Sequence, residues 1–288
     1  MLCSWIPACA GMTENAGMTN FSIKRKSLQN WETIIYEKKG KLGIISLNRP
    51  RSLNVYNLKM RDELYQTLGA IKEDKEIGCL ILRGEGEKAF CAGADLSEFL
   101  TAPSPVIARE ARWGRDVWGL FLSLEIPAIA ALHGYILGSG IEMALCCDIR
   151  IASEDAVFGL PEARLGIIPA AGATQTLPRI INKAKAMEML LTGAMLNVRE
   201  AYRLRLVNSV VPRQSLLQTA IEMAEKICSR APLAVRSMKQ AVLRGLDMGL
   251  EAGMELESQL GWPLRFTRDA EEGIRAFVGR RQPNFQGK

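Results

Sequence analysis

The chain has 288 residues, 48% of them hydrophobic and 24% charged, with a formal net charge of +6. That length buries a sizeable core, and no apolar run reaches the roughly 18 residues that span a bilayer, so an integral membrane protein is excluded. Seven irregularly spaced cysteines without a C-x-x-C read as reduced thiols of a cytoplasmic protein, and the single histidine, His133, rules out a His-rich metal site.

Residues 1–20 stand apart: they repeat AGMT and lack the basic start and apolar run of a secretory signal. They read as a disordered or mis-called tail, with Met12 or Met18 as the initiator. From Trp31 the pattern becomes regular. "TIIYEKKGKLGIISLN" predicts two strands around a Lys-Gly turn. Leu58, Leu64, Leu68 and Ile71 fall at helical spacing, "GCLILRG" predicts a buried strand, and "ADLSEFL" a short helix. Beyond Pro103 and Pro105 one long helix is expected over 106–124. "PAIAALHGY" predicts a strand, and "IRIASEDAVFGL" a strand, a turn and a strand. After Pro212 the strands stop, and helical patterns fill 213–230, 232–246 and 268–279. The chain therefore divides into an α/β core over 21–212 with parallel pairing and an all-helical region over 213–288.

The charge is spread along the chain, with only short clusters such as Lys24–Lys26 and Arg280–Arg281. That distribution favours a small polyphosphorylated anion over a nucleic acid as partner.

Two segments share one design. "FCAGADLSEF" and "YILGSGIEMA" each leave a strand through small residues and enter a helix. In each, one residue, Ala94 or Ser139, has a main-chain N–H with no intrahelical acceptor. Neighbouring glycines let a ligand approach, and two such amides aimed at one point form an oxyanion hole, worth roughly 3–4 kcal/mol per donor. Glu142 admits two readings here. Ser139-x-x-Glu142 matches a capping box, as does Asp95-x-x-Glu98, and a carboxylate so close to an oxyanion hole also suits catalysis. A second carboxylate, Glu162, follows Pro161 in apolar surroundings, and two glutamates at one apolar pocket can position a water and move a proton. Leu137 replaces the glycine that a G-x-S-x-G nucleophile elbow requires, and His133 reads as a packed structural residue.

The motifs "SLNRP" at 46–50, "AFCAGADL" at 89–96, "HGYILGSGIEMALCCDIRIAS" at 133–153, "FGLPEARLGIIPAAGATQTLPR" at 158–179 and "RAFVGRRQPNF" at 275–285 together resemble the crotonase family of enoyl-CoA hydratases and isomerases. The resemblance runs from Trp31 to Phe285. It implies a spiral of ββα units with a C-terminal helical trimerisation region, giving a homotrimer or a hexamer built as a dimer of trimers. It also implies an acyl-CoA thioester substrate, as in fatty-acid β-oxidation.

Residue by residue, the resemblance puts the oxyanion amides on Ala94 and Ser139 and the two hydratase glutamates on Glu142 and Glu162. Substrate and CoA contacts fall on Ala92, Asp95, Leu96, Ser97, Gly138 and Arg280, the last reaching a neighbouring subunit's CoA. Ser139 stands where the family has glycine, Ala170 and Ala173 replace two more glycines, and Ser97 replaces a frequent lysine. The implied reaction is addition of water to a 2-enoyl-CoA, with no cofactor beyond the CoA on the substrate. An isomerase, a dehydratase or cyclic-enoyl hydratase of the same family, and an RNA-binding or scaffolding relative are the alternatives.

Overall fold

The computed structural model describes residues 31–99, 101, 104, 106–107 and 114–288. The tail at 1–20, the cluster at Lys24–Lys26 and Trp113 lie outside the described residues. Strands β1 (Ile34–Lys39) and β2 (Leu42–Leu47) form a hairpin, followed by α1 (Leu58–Glu73), β3 (Cys79–Gly84) and β4 (Ala89–Cys91). Next come α2 (Val117–Leu122), β5 (Ala128–Leu132), β6 (Tyr135–Leu137), α3 (Ser139–Leu145), β7 (Ile149–Ser153) and β8 (Val157–Gly159). The chain continues through α4 (Ala173–Ile180), α5 (Lys183–Thr192), β9 (Met195–Asn197), α6 (Val198–Arg203) and β10 (Ser209–Val211). Four helices close it: α7 (Leu216–Cys228), α8 (Pro232–Gly245), α9 (Leu250–Gly261) and α10 (Arg268–Val278).

The strands form two sheets, one ordered β1-β2-β3-β5-β7-β10 and the other β4-β6-β8-β9. From β3 to β8 consecutive strands alternate between them, so each pass there adds one strand to the large sheet and then one to the small sheet, and the α/β spiral expected from the sequence is present. From β2 to β10 every pairing of the large sheet is parallel. Both of its faces are covered, which is why its strands read as unbroken apolar runs. Ile45, Leu47, Leu80, Leu82 and Ala130 face the main core with α1, while Ile44, Ile81, Ile129 and Ile151 face α7. Helix α7 meets that face with Leu216, Ala220 and Ala224, spaced one turn apart, and two of the three are small enough for close approach.

Two expectations need correction. The long helix over 106–124 is interrupted. Residues 106–107 are helical, but 114–116 are not, and α2 starts afresh after Asp116, whose carboxylate accepts the Gly119 N–H at 2.9 Å. A side-chain N-cap in the middle of an apolar pattern ends one helix and starts another. The second is α9, absent from the sequence reading because Gly253 and Gly261 dilute its apolar spacing. No helix among the described residues is long and apolar enough to cross a membrane.

Arg150 on β7 is 7% exposed and donates from Nε to the Leu206 carbonyl at 2.7 Å and from Nη1 to the Cys147 carbonyl at 2.5 Å. A longer contact reaches the Ala144 carbonyl at 3.4 Å, so the guanidinium closes the C-terminal end of α3 with charge of the favourable sign. Replacing Arg150 with methionine takes the guanidinium donor from the buried Leu206 and Cys147 carbonyls. The Arg150→Met variant should lose about 1–3 kcal/mol of unfolding free energy in a urea titration.

Candidate active site

The first turn is built on a neighbouring segment, 49–57. Tyr56 forms a parallel bridge with Ala94: its N–H donates to the Gly93 carbonyl and its carbonyl accepts from the Asp95 N–H, both at 2.8 Å. In a parallel bridge the middle residue's own groups point the other way. The Ala94 N–H is accordingly directed away from Tyr56, with no acceptor among the described residues. Asn54, fully buried, donates to the carbonyls of Glu85 and Ala89 at 2.9 Å each and accepts the Arg49 N–H. Trp118 packs on Tyr56 with ring centroids 5.4 Å apart, so it supports this segment from behind.

The second turn ends at Gly138, whose backbone (φ 49°, ψ −119°) is one that a side chain rarely tolerates. Its N–H donates to the Gly159 carbonyl at 3.0 Å, and its carbonyl accepts the first intrahelical bond of α3, from Glu142 at 3.1 Å. Ser139 is therefore the first helical residue, and its N–H belongs to the group that has no partner within the helix.

The turns touch because Gly140 lacks a side chain. A Cβ on Gly140 would stand 2.2 Å from the Cys91 carbonyl oxygen, and one on Gly138 would stand 3.5 Å from the Gly93 Cα. The same position on Gly138 is 3.0 Å from Glu162 Oε1. Ala94, Ser139 and Glu162 are thus gathered around Gly138, with Glu142 one turn into the helix that starts there.

The two glutamates have different surroundings. Glu142 is 3% exposed, and its Oε1 accepts the N–H groups of Ala171 at 2.7 Å and Ala173 at 3.2 Å. The capping box read from the sequence does not form: Gly138, which has no side chain, is the N-cap of α3, and the carboxylate of Glu142 turns to the 171–173 backbone instead. The Asp95-x-x-Glu98 box is also absent, since Glu98 accepts the Leu58 N–H at 2.8 Å. Glu162 sits in the first turn of a 3-10 helix, Pro161–Leu165, and its buried Oε2 has no hydrogen-bond partner among the described residues. Burial raises its pKa above the ordinary carboxylate value.

The remaining residues separate by location. Ala92 donates its N–H to the Leu53 carbonyl at 3.0 Å, and the Leu96 side chain is exposed. The Asp95 carboxylate accepts from Ser97 Oγ at 2.7 Å and from Arg49 at 3.0 Å, contacts that hold its pKa below the usual range, the Ser97 bond most strongly. Arg280, exposed after α10 with φ 50°, shares no hydrogen bond or ion pair with this group among the described residues. His133 is buried in the β5–β6 turn. Desolvation first, then the charge of Arg213, lowers its pKa to about 4, so it stays neutral, in keeping with a structural role. The sequence reading did not identify Arg49, Asn54 and Tyr56, nor the amides of Ala171 and Ala173. The "SLNRP" motif marked the neighbourhood of the first three but assigned them no task.

A two-sheet spiral carrying paired turns and two acidic groups defines a class, and the comparisons agree with it. The model described as enoyl-CoA hydratase/isomerase matches residues 37–288, and the chain belongs to that family. It is similar to a crotonyl-CoA hydratase of Syntrophomonas wolfei subsp. wolfei, 39% identical over 259 residues, covering 90% of this chain and 99% of that protein. It is also similar to a short-chain-enoyl-CoA hydratase of Clostridium acetobutylicum, 39% identical over 249 residues, covering 86% and 95% respectively. The crystal structure of an enoyl-CoA hydratase from Bacillus anthracis superposes with a TM-score of 0.85 at 40% identity, covering 89% of this chain and 100% of that one.

If the approach of the turns rests on the missing side chain at Gly140, then Gly140→Ala should force α3 away from Cys91. The overpacking should cost about 1–3 kcal/mol in a thermal melt. Activity should fall further than the folded fraction does, which circular dichroism and an enoyl-CoA assay on the same sample would show.

Proposed function

We propose that the chain is an enoyl-CoA hydratase that adds water reversibly across the double bond of a 2-enoyl-CoA thioester. The observation that carries this reading is the group around Gly138: two unpaired main-chain amides on adjoining turns, with one glutamate against the turn and another in the first turn of α3. The N–H groups of Ala94 and Ser139 bind the thioester carbonyl oxygen and stabilise it as negative charge develops there. Glu142, oriented by the amides of Ala171 and Ala173, takes a proton from water as the water oxygen bonds to the β-carbon. The π electrons move toward the carbonyl, and the resulting enolate takes a proton at the α-carbon from Glu162. Its raised pKa and unpartnered Oε2 suit the donor role. Exchange with solvent then returns a proton to Glu162 and removes one from Glu142. These steps draw on water, the substrate and this chain, and CoA enters only as the carrier of the acyl group.

In this reading Ala92, Leu96, Ser97 and Gly138 border the thioester, while Asp95 contributes its backbone because its side chain is engaged. Arg280 serves a CoA held by a neighbouring copy. A homotrimer, alone or paired into a hexamer, is supported by the apolar surface of the C-terminal helices, where Leu246, Leu250, Phe266 and Phe277 are 79%, 81%, 75% and 73% exposed. A cytoplasmic location is supported by the free thiols of Cys79, Cys91, Cys146, Cys147 and Cys228.

Glu142→Gln and Glu162→Gln should each lower kcat for crotonyl-CoA hydration by about 10²–10⁴-fold, the usual contribution of a positioned acid or base. Near-wild-type turnover in both would refute the assignment.

Glu162→Gln also carries a stability test with a definite sign. Below the ordinary carboxylate pKa both states of the wild type are protonated, and burial of this group adds no ionisation cost. As pH rises, the unfolded chain loses its proton before the folded one does, so Glu162 lowers stability progressively through the window up to its raised folded pKa. The melting temperature of Glu162→Gln should therefore gain on that of the wild type as pH rises above the ordinary carboxylate range, about pH 4. The variant should be the more stable and the less active protein at neutral pH.

A further inference from the structure

Ala94 is held by its neighbours, and one guanidinium reaches both sides of the bridge that holds it. Arg49 Nη1 donates to the Val55 carbonyl at 2.7 Å and to Asp95 Oδ2 at 3.0 Å. Val55 precedes Tyr56 on one side of the Tyr56–Ala94 bridge, and Asp95 follows Ala94 on the other. The two bridge hydrogen bonds, Tyr56 N–H to Gly93 and Asp95 N–H to Tyr56, lie between these anchor points. The Arg49 and Asp95 side chains are 22% and 17% exposed, so the pair is only partly screened by solvent. The other Asp95 oxygen accepts from Ser97 Oγ and the Ser97 N–H, which fixes the carboxylate from the far side. Both ends of the contact are therefore rigid, as a device for placing a main-chain atom requires.

We propose that Arg49, acting through Asp95, is a positioning residue that sets the direction of the Ala94 N–H toward the thioester oxygen. The proposal rests on the hydratase reading for its substrate, but its geometry concerns only the first oxyanion amide. An amide displaced by a fraction of an ångström still permits binding, yet it no longer meets the charge that develops in the transition state. The loss therefore falls on kcat and leaves KM nearly unchanged. Arg49 and Asp95 share one contact, so removing both costs less than the sum of the two single losses.

The test uses full-length Arg49→Gln, Asp95→Asn and the double variant, each corrected for folded fraction by circular dichroism. With crotonyl-CoA, each single variant should lose about 10- to 100-fold in kcat, part of the 10²–10³-fold that loss of an oxyanion donor costs, with KM within about twofold. Arg49→Lys, which keeps the cation but not the planar fork, should recover part of that loss. In parallel, calorimetry compares acetoacetyl-CoA, whose enolate places charge on the thioester oxygen, with CoA itself. The variants should lose affinity for the first by about tenfold or more and keep affinity for the second.

Wild-type kcat per folded enzyme, additive losses in the double variant, or an equal loss for both ligands would each overturn the positioning role. Should Arg49→Gln fail to fold, Asp95→Asn, which retains the Ser97 contacts, decides the matter by the same two readouts. A wild type that hydrates no enoyl-CoA, with variants that still lose the acetoacetyl-CoA preference, would sink the hydratase reading and leave the positioning role standing. A wild type that binds both ligands alike would sink the positioning role as well.

Discussion

The close approach of α3 to the end of β4 is the contact on which the site depends. Gly140 lies against the Cys91 carbonyl at a separation that no side chain permits, and this brings the first turn of a helix to a second, independently built turn. Each turn presents a main-chain N–H that secondary structure leaves over, one because helices begin with unpaired donors and the other because a bridge uses only alternate groups. Such groups are costly when buried without a partner, so a turn that leaves one over is suited to an oxygen that arrives with a ligand.

The surrounding structure reads as support for that contact. Arg150 closes the C-terminal end of α3 through buried carbonyls, while Asn54 and Tyr56 tie the other turn to the 49–57 segment. Much of this support consists of side chains or amides bonded to main-chain groups, which hold a backbone in place more directly than apolar packing does.

The two glutamates show how one residue type takes two tasks. Glu142 is held by one amide from the turn before α4 and one from that helix's first residue, whereas Glu162 keeps a buried oxygen with no partner among the described residues and is drawn toward its neutral form by desolvation. Paired carboxyls in unlike environments are a general means of obtaining an acid and a base from the same side chain.

Much of this was legible in the residues themselves. Alternating strands and helices, the two small-residue turns, the run of parallel pairs and the glutamates at 142 and 162 follow from patterns that repeat over a few positions and are dictated by local chemistry. Long-range partners were not legible. Nothing near Glu142 in the chain distinguishes a capping carboxylate from one that reaches Ala171, because both look like Ser-x-x-Glu. Arg49 and Asp95 are 46 positions apart, so their meeting is a consequence of the spiral and not of any spacing. The interruption at Asp116 was missed because an apolar helical period continues across it, and a single side-chain hydrogen bond decides where the helix restarts. By itself the sequence determined which elements form and which atoms are chemically able to act, since those depend on neighbours along the chain. Only the tertiary structure decided which of those atoms face one another, since close packing between distant segments selects one arrangement from many that the local rules allow.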